Sequence, residues 1–278
     1  MTREPESKVH PPMPLRITAY PFTLQKSDAS PWENEDAYAC PGLSSKSPAQ
    51  KPAFPRTATP RPRRIAVSDG VSNAWHSGAW SKALVWQFIR PGSPALDAFP
   101  AWLAEVQASW AKKPVDLSRT PGFLREKVFR GAFATLLGVE LDEDSDHGTV
   151  YRALAVGDSC LFHLRSGRLL GSFPLTTVEA FGSAPMTLPS AARFSTNVLP
   201  HVATTGGDLA PGDRLLLATD ALACHLLARA AADPDWWFPM EARLKDAAAL
   251  RAYVTDARAT RRLADDDITA LLLCFDAE

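Results

Sequence analysis

The chain has 278 residues, of which 46% are hydrophobic and 22% are charged, and its formal net charge is −1. This composition supplies a core for one large domain or two small ones, and the near-zero charge gives no electrostatic drive toward nucleic acid or an anionic membrane. No apolar run approaches the roughly 20 residues that span a bilayer, and residues 1–13 carry no apolar signal-peptide core, so we expect a cytoplasmic protein without a membrane segment.

Two stretches near the N-terminus lack the pattern of a folded core. Residues 1–13 are polar, and we expect them to form a disordered tail ahead of residues 14–278. Residues 40–64 contain six prolines and six basic residues but no acidic residue. That composition is typical of an extended, solvated loop, because a sheet interior does not tolerate such a proline density. The alternative is a docking loop for an acidic or phosphorylated partner.

The cysteines indicate a reducing compartment. Cys40, Cys160, Cys224 and Cys274 are widely separated, and no two of them form a Cys-x-x-Cys pair. We therefore predict buried free thiols and no thiolate metal site.

The first half of the chain predicts three strands followed by three helices. Alternating and β-branched residues indicate strands over 15–20, 35–39 and 65–70. Ser77 is suited to cap a helix over 77–90, and two further helices are expected over 94–111 and 121–131.

The second half predicts mostly strands. They are expected over 133–141, 149–156, 160–165, 168–170, 215–220 and 268–275, and residues 173–205 are expected to be rich in loops. Helices are expected over 221–231 and 240–262. Because strands and helices occur in separate runs, the pattern favours stacked sheets with helices outside rather than a regular parallel βαβ series.

Acidic residues stand at the ends of four predicted strands. Asp69 follows one apolar run and Asp220 ends another, while Glu35-Asp36 and residues 265–267 each introduce one. Carboxylates from distant parts of the chain can meet at one end of a core. Hard divalent cations require such an oxygen-rich site.

Six segments occur in the order found in one family. They are Asn34-Glu35-Asp36-Ala37, Val67-Ser68-Asp69-Gly70, Ala134-Thr135-Leu136, Val156-Gly157-Asp158-Ser159, Leu217-Ala218-Thr219-Asp220 and Asp266-Asp267-Ile268-Thr269. Over about residues 15–275 the chain resembles a divergent, bacterial-looking form of the metal-dependent protein phosphatases of the protein phosphatase 2C type.

The resemblance implies an α+β fold, an α-β-β-α four-layer sandwich of two mainly antiparallel sheets flanked by helices, spanning residues 14–278. It also implies two Mn²⁺ or Mg²⁺ ions, with a third possible. By position, Asp69 would bridge both ions and the Gly70 carbonyl would bind one of them. Asp220 and Asp266 would hold the first ion.

The remaining site residues are implied in the same way. Glu35 would reach the second ion directly or through water, and Asp36 would orient the attacking water. Asp158 would belong to a weaker third metal position, and Thr135 would support the site from its strand.

The implied reaction is hydrolysis of phosphoserine or phosphothreonine in proteins by water that bridges two metal ions. Paired cations of this kind lower the pKa of water and stabilise charge on a transferring phosphoryl group. The implied partners are a phosphorylated protein and a cognate kinase, with no nucleic acid and no membrane.

Several positions depart from the family pattern. Pro31 stands where an arginine usually binds the substrate phosphate, and Lys26 or a cation of the 40–64 loop is the candidate replacement. Val71-Ser72-Asn73 replaces a His-Gly-Gly or Met-Gly-Gly segment, which leaves His76 as a weak candidate acid. Ala221 replaces a glycine, and Cys224 replaces an acid of the third metal position, with His225 beside it.

These departures leave two alternatives open. One is a catalytically weak or inactive binding or sensor module that keeps the sandwich. The other is a metal-dependent phosphatase of a small phosphorylated metabolite.

Overall fold

The computed structural model describes residues 15–41, 44–45, 63–112, 121–144, 148–182 and 184–278. The predicted tail over 1–13 therefore lies outside the described residues, as does most of the predicted loop over 40–64. Two parts of that loop are strand instead, because Ser44–Ser45 pairs with the first strand and Arg63 begins another.

The first sheet has six strands in the order β3-β1-β13-β12-β8-β9. All neighbours are antiparallel except the short parallel pair β3 and β1. The strands are β1 (Leu15–Leu24), β3 (Ser44–Ser45), β8 (Cys160–Arg165), β9 (Arg168–Phe173), β12 (Asp213–Ala218) and β13 (Ile268–Ala277).

The second sheet has five antiparallel strands in the order β11-β7-β6-β4-β2, and β10 pairs with β5 beside it. The five strands are β2 (Ala37–Ala39), β4 (Arg63–Ser68), β6 (Leu136–Asp144), β7 (Gly148–Val156) and β11 (Ala203–Asp208), and the separate pair is β5 (Phe133–Ala134) and β10 (Leu188–Pro189).

Helices cover the outer faces of both sheets. Three precede β5, namely α1 (Ser77–Phe88), α2 (Phe99–Ala111) and α3 (Gly122–Arg130), and three follow β12, namely α4 (Asp220–Ala232), α5 (Trp237–Leu244) and α6 (Ala247–Ala259). Helices α1 and α2 share an apolar core with the second sheet, and α4, α5 and α6 share one with the first. A third apolar layer separates the sheets. The predicted α-β-β-α sandwich is confirmed.

The central strands are apolar on both faces because both faces are covered. In β12, Leu215 and Leu217 face the layer between the sheets, whereas Leu216 and Ala218 face α4. A strand covered on both sides reads as a continuous apolar run rather than as an alternating one. None of the described helices is both long and apolar enough to cross a bilayer.

Three predicted elements differ from the structure. The helix expected over 240–262 is two helices, because the Asp246 side chain accepts the Ala248 and Ala249 amides and starts α6 anew. The strand expected over 133–141 is interrupted at Thr135. Ser77 does not cap α1, since the N-cap is His76 in a left-handed conformation, with a φ of 56°.

Candidate metal centre

Strand pairing in the first sheet brings three predicted site residues to one edge. Ala218 of β12 lies opposite both Cys160 of β8 and Ala270 of β13. Asp158 precedes β8, Asp220 follows β12, and Asp266 precedes β13, so all three stand at the same end of the sandwich.

The second sheet presents its own acidic residues at that end. Ala37 of β2 lies opposite Ser68 of β4, which places Asp36 and Asp69 on neighbouring strands. Gly70 forms an isolated bridge with Ala134, just before Thr135. Both sheets therefore place acidic residues at the same end of the sandwich.

Three carboxylates form the middle of this centre. Asp69, Asp158 and Asp220 each offer an oxygen, and these oxygens all lie within 4.8 Å of one another. Burial raises the pKa of Asp69 well above its ordinary value, and the charges of Asp36, Asp220, Asp158 and Asp266 raise it further. Burial and the charge of Asp220 raise the pKa of Asp158 to about 7. Without a cation, the centre resists carrying its full negative charge.

Two acceptor atoms at the centre are buried without a hydrogen-bond partner among the described residues: Oδ1 of Asp36 and Oδ1 of Asp158. Asp36 is 6% exposed, and its Oδ2 accepts a 2.9 Å hydrogen bond from the Thr219 hydroxyl. Burial raises the pKa of Asp36 to about 8, against the lowering effect of that hydrogen bond. Orphaned buried carboxylate oxygens are costly unless a cation or water satisfies them. The donor set therefore fits hard divalent cations.

Thr135 holds the backbone of Asp69 in place. Its hydroxyl accepts the Asp69 amide at 3.0 Å, and its amide donates to the Asp69 carbonyl at 2.8 Å. The Ser159 hydroxyl lies 2.9 Å from the Thr135 hydroxyl, and the Ser68 hydroxyl donates to the Thr135 carbonyl at 2.6 Å. Thr135, at the break between β5 and β6, therefore fixes the backbone of Asp69. Ser68 and Ser159 belong to two of the six segments that carry the family resemblance, but the sequence analysis predicted no role for them.

Gly70 allows a close approach of three segments. A Cβ on Gly70 would lie 2.8 Å from the Glu35 carbonyl oxygen and 2.9 Å from the Ser77 carbonyl carbon, closer than real Cβ atoms come. Glu35 is half-buried, and burial raises its pKa while Ser72 and Lys26 oppose that effect. A glycine at position 70 is therefore required for the Glu35 and Ser77 backbones to pack this closely against it.

Lys26 lies beside Glu35. Its Nζ donates to the Ser72 hydroxyl at 3.1 Å and stands 3.8 Å from Oε2 of Glu35. Pro31, at the position of the missing arginine, begins an exposed 3-10 turn over Pro31–Glu33. Of the two positions, Lys26 is the one that presents a cation near the carboxylates.

Asp267 has a positioning role that we did not predict. Its Oδ1 accepts the Lys26 amide at 2.9 Å, and its Oδ2 accepts the Glu35 amide at 2.7 Å. Asp265 accepts the Ser27 amide at 2.8 Å. Asp266 accepts the Asp267 amide, and its charge acts on Asp69 and Asp220. Three consecutive acids in a sequence do not reveal which of them carries which task.

His76 and His225 make contacts that involve no acidic side chain. His76 is exposed, packs edge-on against Trp75, and lines a cavity of about 860 Å³ that includes no acidic side chain. The His225 ring is bonded to the Arg262 carbonyl at 2.9 Å and the Tyr253 hydroxyl at 2.6 Å. Hydrogen bonds therefore tie His225 to α6 and to the segment after it, and no acidic side chain lines the cavity beside His76.

The four cysteines are free thiols that differ in burial. Cys160 and Cys274 are buried as predicted, whereas Cys40 and Cys224 are partly exposed. Cys224 lies one helical turn beyond Asp220 in α4. Burial raises the pKa of its thiol, and the charges of Asp220 and Asp158 raise it further.

Comparison with solved structures finds consistent matches to one fold. PppA, described as a key regulatory component of T6SS in Pseudomonas aeruginosa, is 20% identical, covers 96% of this chain and 100% of its own, and has a TM-score of 0.54. The serine/threonine phosphatase of S. agalactiae is 14% identical, with 93% and 99% coverage and a TM-score of 0.55. The catalytic domain of the serine/threonine protein phosphatase PstP, solved with two manganese ions, is 16% identical, with 94% and 99% coverage and a TM-score of 0.55.

No protein-family model and no curated protein matches the chain. The identities to solved structures are low, but the matches extend over nearly the whole of both chains. The chain therefore has the fold of the serine/threonine phosphatases of the protein phosphatase 2C type.

Proposed function

We propose that this protein is a metal-dependent phosphatase that hydrolyses phosphoserine or phosphothreonine in proteins. The observation that carries the proposal is that carboxylate oxygens of Asp69, Asp158 and Asp220 lie within 4.8 Å of one another, and that one oxygen of Asp158 and one of Asp36 are buried without a partner among the described residues. A centre of this kind favours cation binding, and the fold supports the phosphatase assignment.

The chain offers an all-oxygen set for Mn²⁺ or Mg²⁺. Asp69, Asp220, Asp266, Glu35 and the Gly70 carbonyl are the proposed ligands of two ions, and Asp158 is the proposed ligand of a third. Bound divalent ions would activate water and neutralise charge on the phosphoryl group.

Protein side chains supply the remaining chemistry. Lys26 would bind a phosphate oxygen through Nζ, which already stands near Glu35. Asp36 would orient the attacking water and accept its proton at Oδ1, the atom without a partner.

The test is hydrolysis of p-nitrophenyl phosphate with Mn²⁺, Mg²⁺ or EDTA. We expect metal-dependent turnover that is lost in Asp69→Asn, because this substitution removes a charged ligand of both ions. Asp208→Asn, an exposed acid on β11, is the matched control and is expected to retain activity. Metal-dependent turnover that survives the loss of both Asp69 and Asp220 would contradict the proposal.

Lys26 has a separate test. Lys26→Met removes the cation but keeps an apolar chain of similar length, so we expect a raised KM for the aryl phosphate with metal affinity retained. Lys82→Met, at an exposed position of α1, is the control. An unchanged KM would assign phosphate binding to another cation.

Substrate class and partners are also part of the proposal. Phosphopeptides and small phosphorylated metabolites, assayed side by side, separate a protein phosphatase from a metabolite phosphatase. A phosphoprotein substrate and a cognate kinase are the proposed partners. Pro31, Ala221 and Cys224 favour the second candidate function, a binding or sensor module, and folded protein that binds Mn²⁺ without turning over any of these substrates would select it.

A further inference from the structure

The segment between β1 and β2, residues 25–36, carries three residues of the proposed site. We call it the β1–β2 arm. It presents Lys26, Glu35 and Asp36, yet its only regular structure is the 3-10 turn over Pro31–Glu33. An irregular segment needs contacts from elsewhere to hold functional side chains in one geometry.

Three of those contacts come from the acids before β13. Asp265 and Asp267 together accept three arm amides, those of Ser27, Lys26 and Glu35, at 2.7–2.9 Å. The arm is thus attached to the loop that contains Asp266. Hydrogen bonds to charged acceptors contribute more than neutral ones, so these attachments are strong.

Arg258 of α6 lies between the two segments. Its Nη1 donates to the Gln25 carbonyl of the arm at 2.9 Å, and its Nη2 donates to the Asp266 carbonyl. Its Nε stands 3.5 Å from an oxygen of Asp265, and the side chain is only 9% exposed. One guanidinium therefore contacts both ends of the junction and supplies positive charge to three consecutive acids.

We propose that Arg258 is a positioning residue that holds the β1–β2 arm against the Asp266 loop, and so fixes Lys26 and Glu35 relative to Asp266. The proposal rests on the proposed function in that these residues serve as phosphate and metal ligands. A lysine cannot replace this arginine, because one ammonium group lacks the planar fork that reaches two carbonyls in different segments.

The first measurement is amide hydrogen exchange on the metal-free protein. In Arg258→Lys we expect the Lys26, Ser27 and Glu35 amides to exchange faster, while amides in the centre of β12 keep their protection. Arg251→Lys is the matched control, because Arg251 is exposed on the same helix and lies over the Phe22 ring. Unchanged arm amides in Arg258→Lys would overturn the proposal, whether or not the protein is a phosphatase.

The second measurement is Mn²⁺ affinity by calorimetric titration of folded protein. Residues that orient metal ligands typically contribute about 10–100-fold in affinity, and we expect a loss of that order in Arg258→Lys. In Arg258→Ala, added guanidinium is expected to restore part of the affinity. Equal affinity in wild type, Arg258→Lys and Arg251→Lys would refute the positioning role.

The third measurement tests coupling to Lys26. If Arg258 acts through the arm, the effect of Arg258→Lys on KM for the aryl phosphate should disappear in a Lys26→Met background. Additive effects would overturn that link. A wild-type protein without turnover would contradict the phosphatase proposal. Faster arm exchange in Arg258→Lys would still support the positioning role.

Discussion

Asp158 yields a prediction about stability whose size depends on bound metal. Its carboxyl is 4% exposed, its Oδ1 has no partner among the described residues, and burial together with the charge of Asp220 raises its pKa from 3.8 to about 7. A raised pKa means that the stability associated with this group is fully present below about pH 4 and is lost as the pH rises to about 7.

The magnitude follows from the size of that rise. Each tenfold change in ionisation is worth about 1.4 kcal/mol, so the ionised Asp158 lowers the free energy of unfolding by about 4 kcal/mol at pH 8. Asparagine has nearly the same shape and no charge. We therefore expect metal-free Asp158→Asn to be more stable than wild type at pH 8 by up to about this amount, with the difference vanishing toward pH 4.

The assay is urea unfolding in EDTA at several pH values, with Asp208→Asn as the control, which is expected to stay within about 0.5 kcal/mol of wild type. Saturating Mn²⁺ should then narrow this difference, because ligand at 100 times its dissociation constant adds about 2.7 kcal/mol and the variant has lost a proposed ligand. A metal-free Asp158→Asn that is less stable than wild type at pH 8, or a pH-independent difference, would refute the reasoning.

Two further substitutions separate the site from the scaffold. Gly70→Ala should lower the free energy of unfolding by about 1–3 kcal/mol and weaken Mn²⁺ binding, because the added Cβ would lie 2.8 Å from the Glu35 carbonyl oxygen. Gly171→Ala is the control, because a Cβ there has no atom within 4 Å. Equal urea midpoints for the two variants would contradict this prediction. Asp213→Asn should lower the free energy of unfolding by about 2–3 kcal/mol in urea, because buried Asp213 accepts two hydrogen bonds from Arg165. Turnover should be kept, because Asp213 begins β12 at the end away from Asp220. Lost turnover in folded Asp213→Asn would contradict this prediction.

The carboxylates at strand ends were predictable because the sequence itself shows where an apolar run stops at an acid. An apolar run that stops at an acid, as at Asp69 and Asp220, places a carboxylate at the edge of a core. In an antiparallel pair, the end of one strand lies next to the start of the other, which brings Asp266 to the same end of the sheet as Asp220. The order of the segments then indicated the sandwich.

The contacts that hold the site were not predictable, because they depend on side-chain direction. Asp267 accepts arm amides while its neighbour Asp266 accepts the Asp267 amide. Arg258 reaches two carbonyls from a helix that we expected to be continuous with the preceding one. His76 was a candidate only through its place in the sequence. Its left-handed backbone and its packing against Trp75 emerge only in three dimensions.

The attachment of the β1–β2 arm also has a consequence for the order of folding. The arm is made early during synthesis, but its acceptors Asp265 and Asp267 lie more than 230 positions later in the chain. Contacts of such long sequence separation form late, because a long loop must first close. Lys26 and Glu35 thus lack these anchors until β13 has docked between β1 and β12. A nascent chain halted before that strand would leave its early carboxylates without a complete centre, so tight Mn²⁺ binding would report that synthesis and folding are both finished.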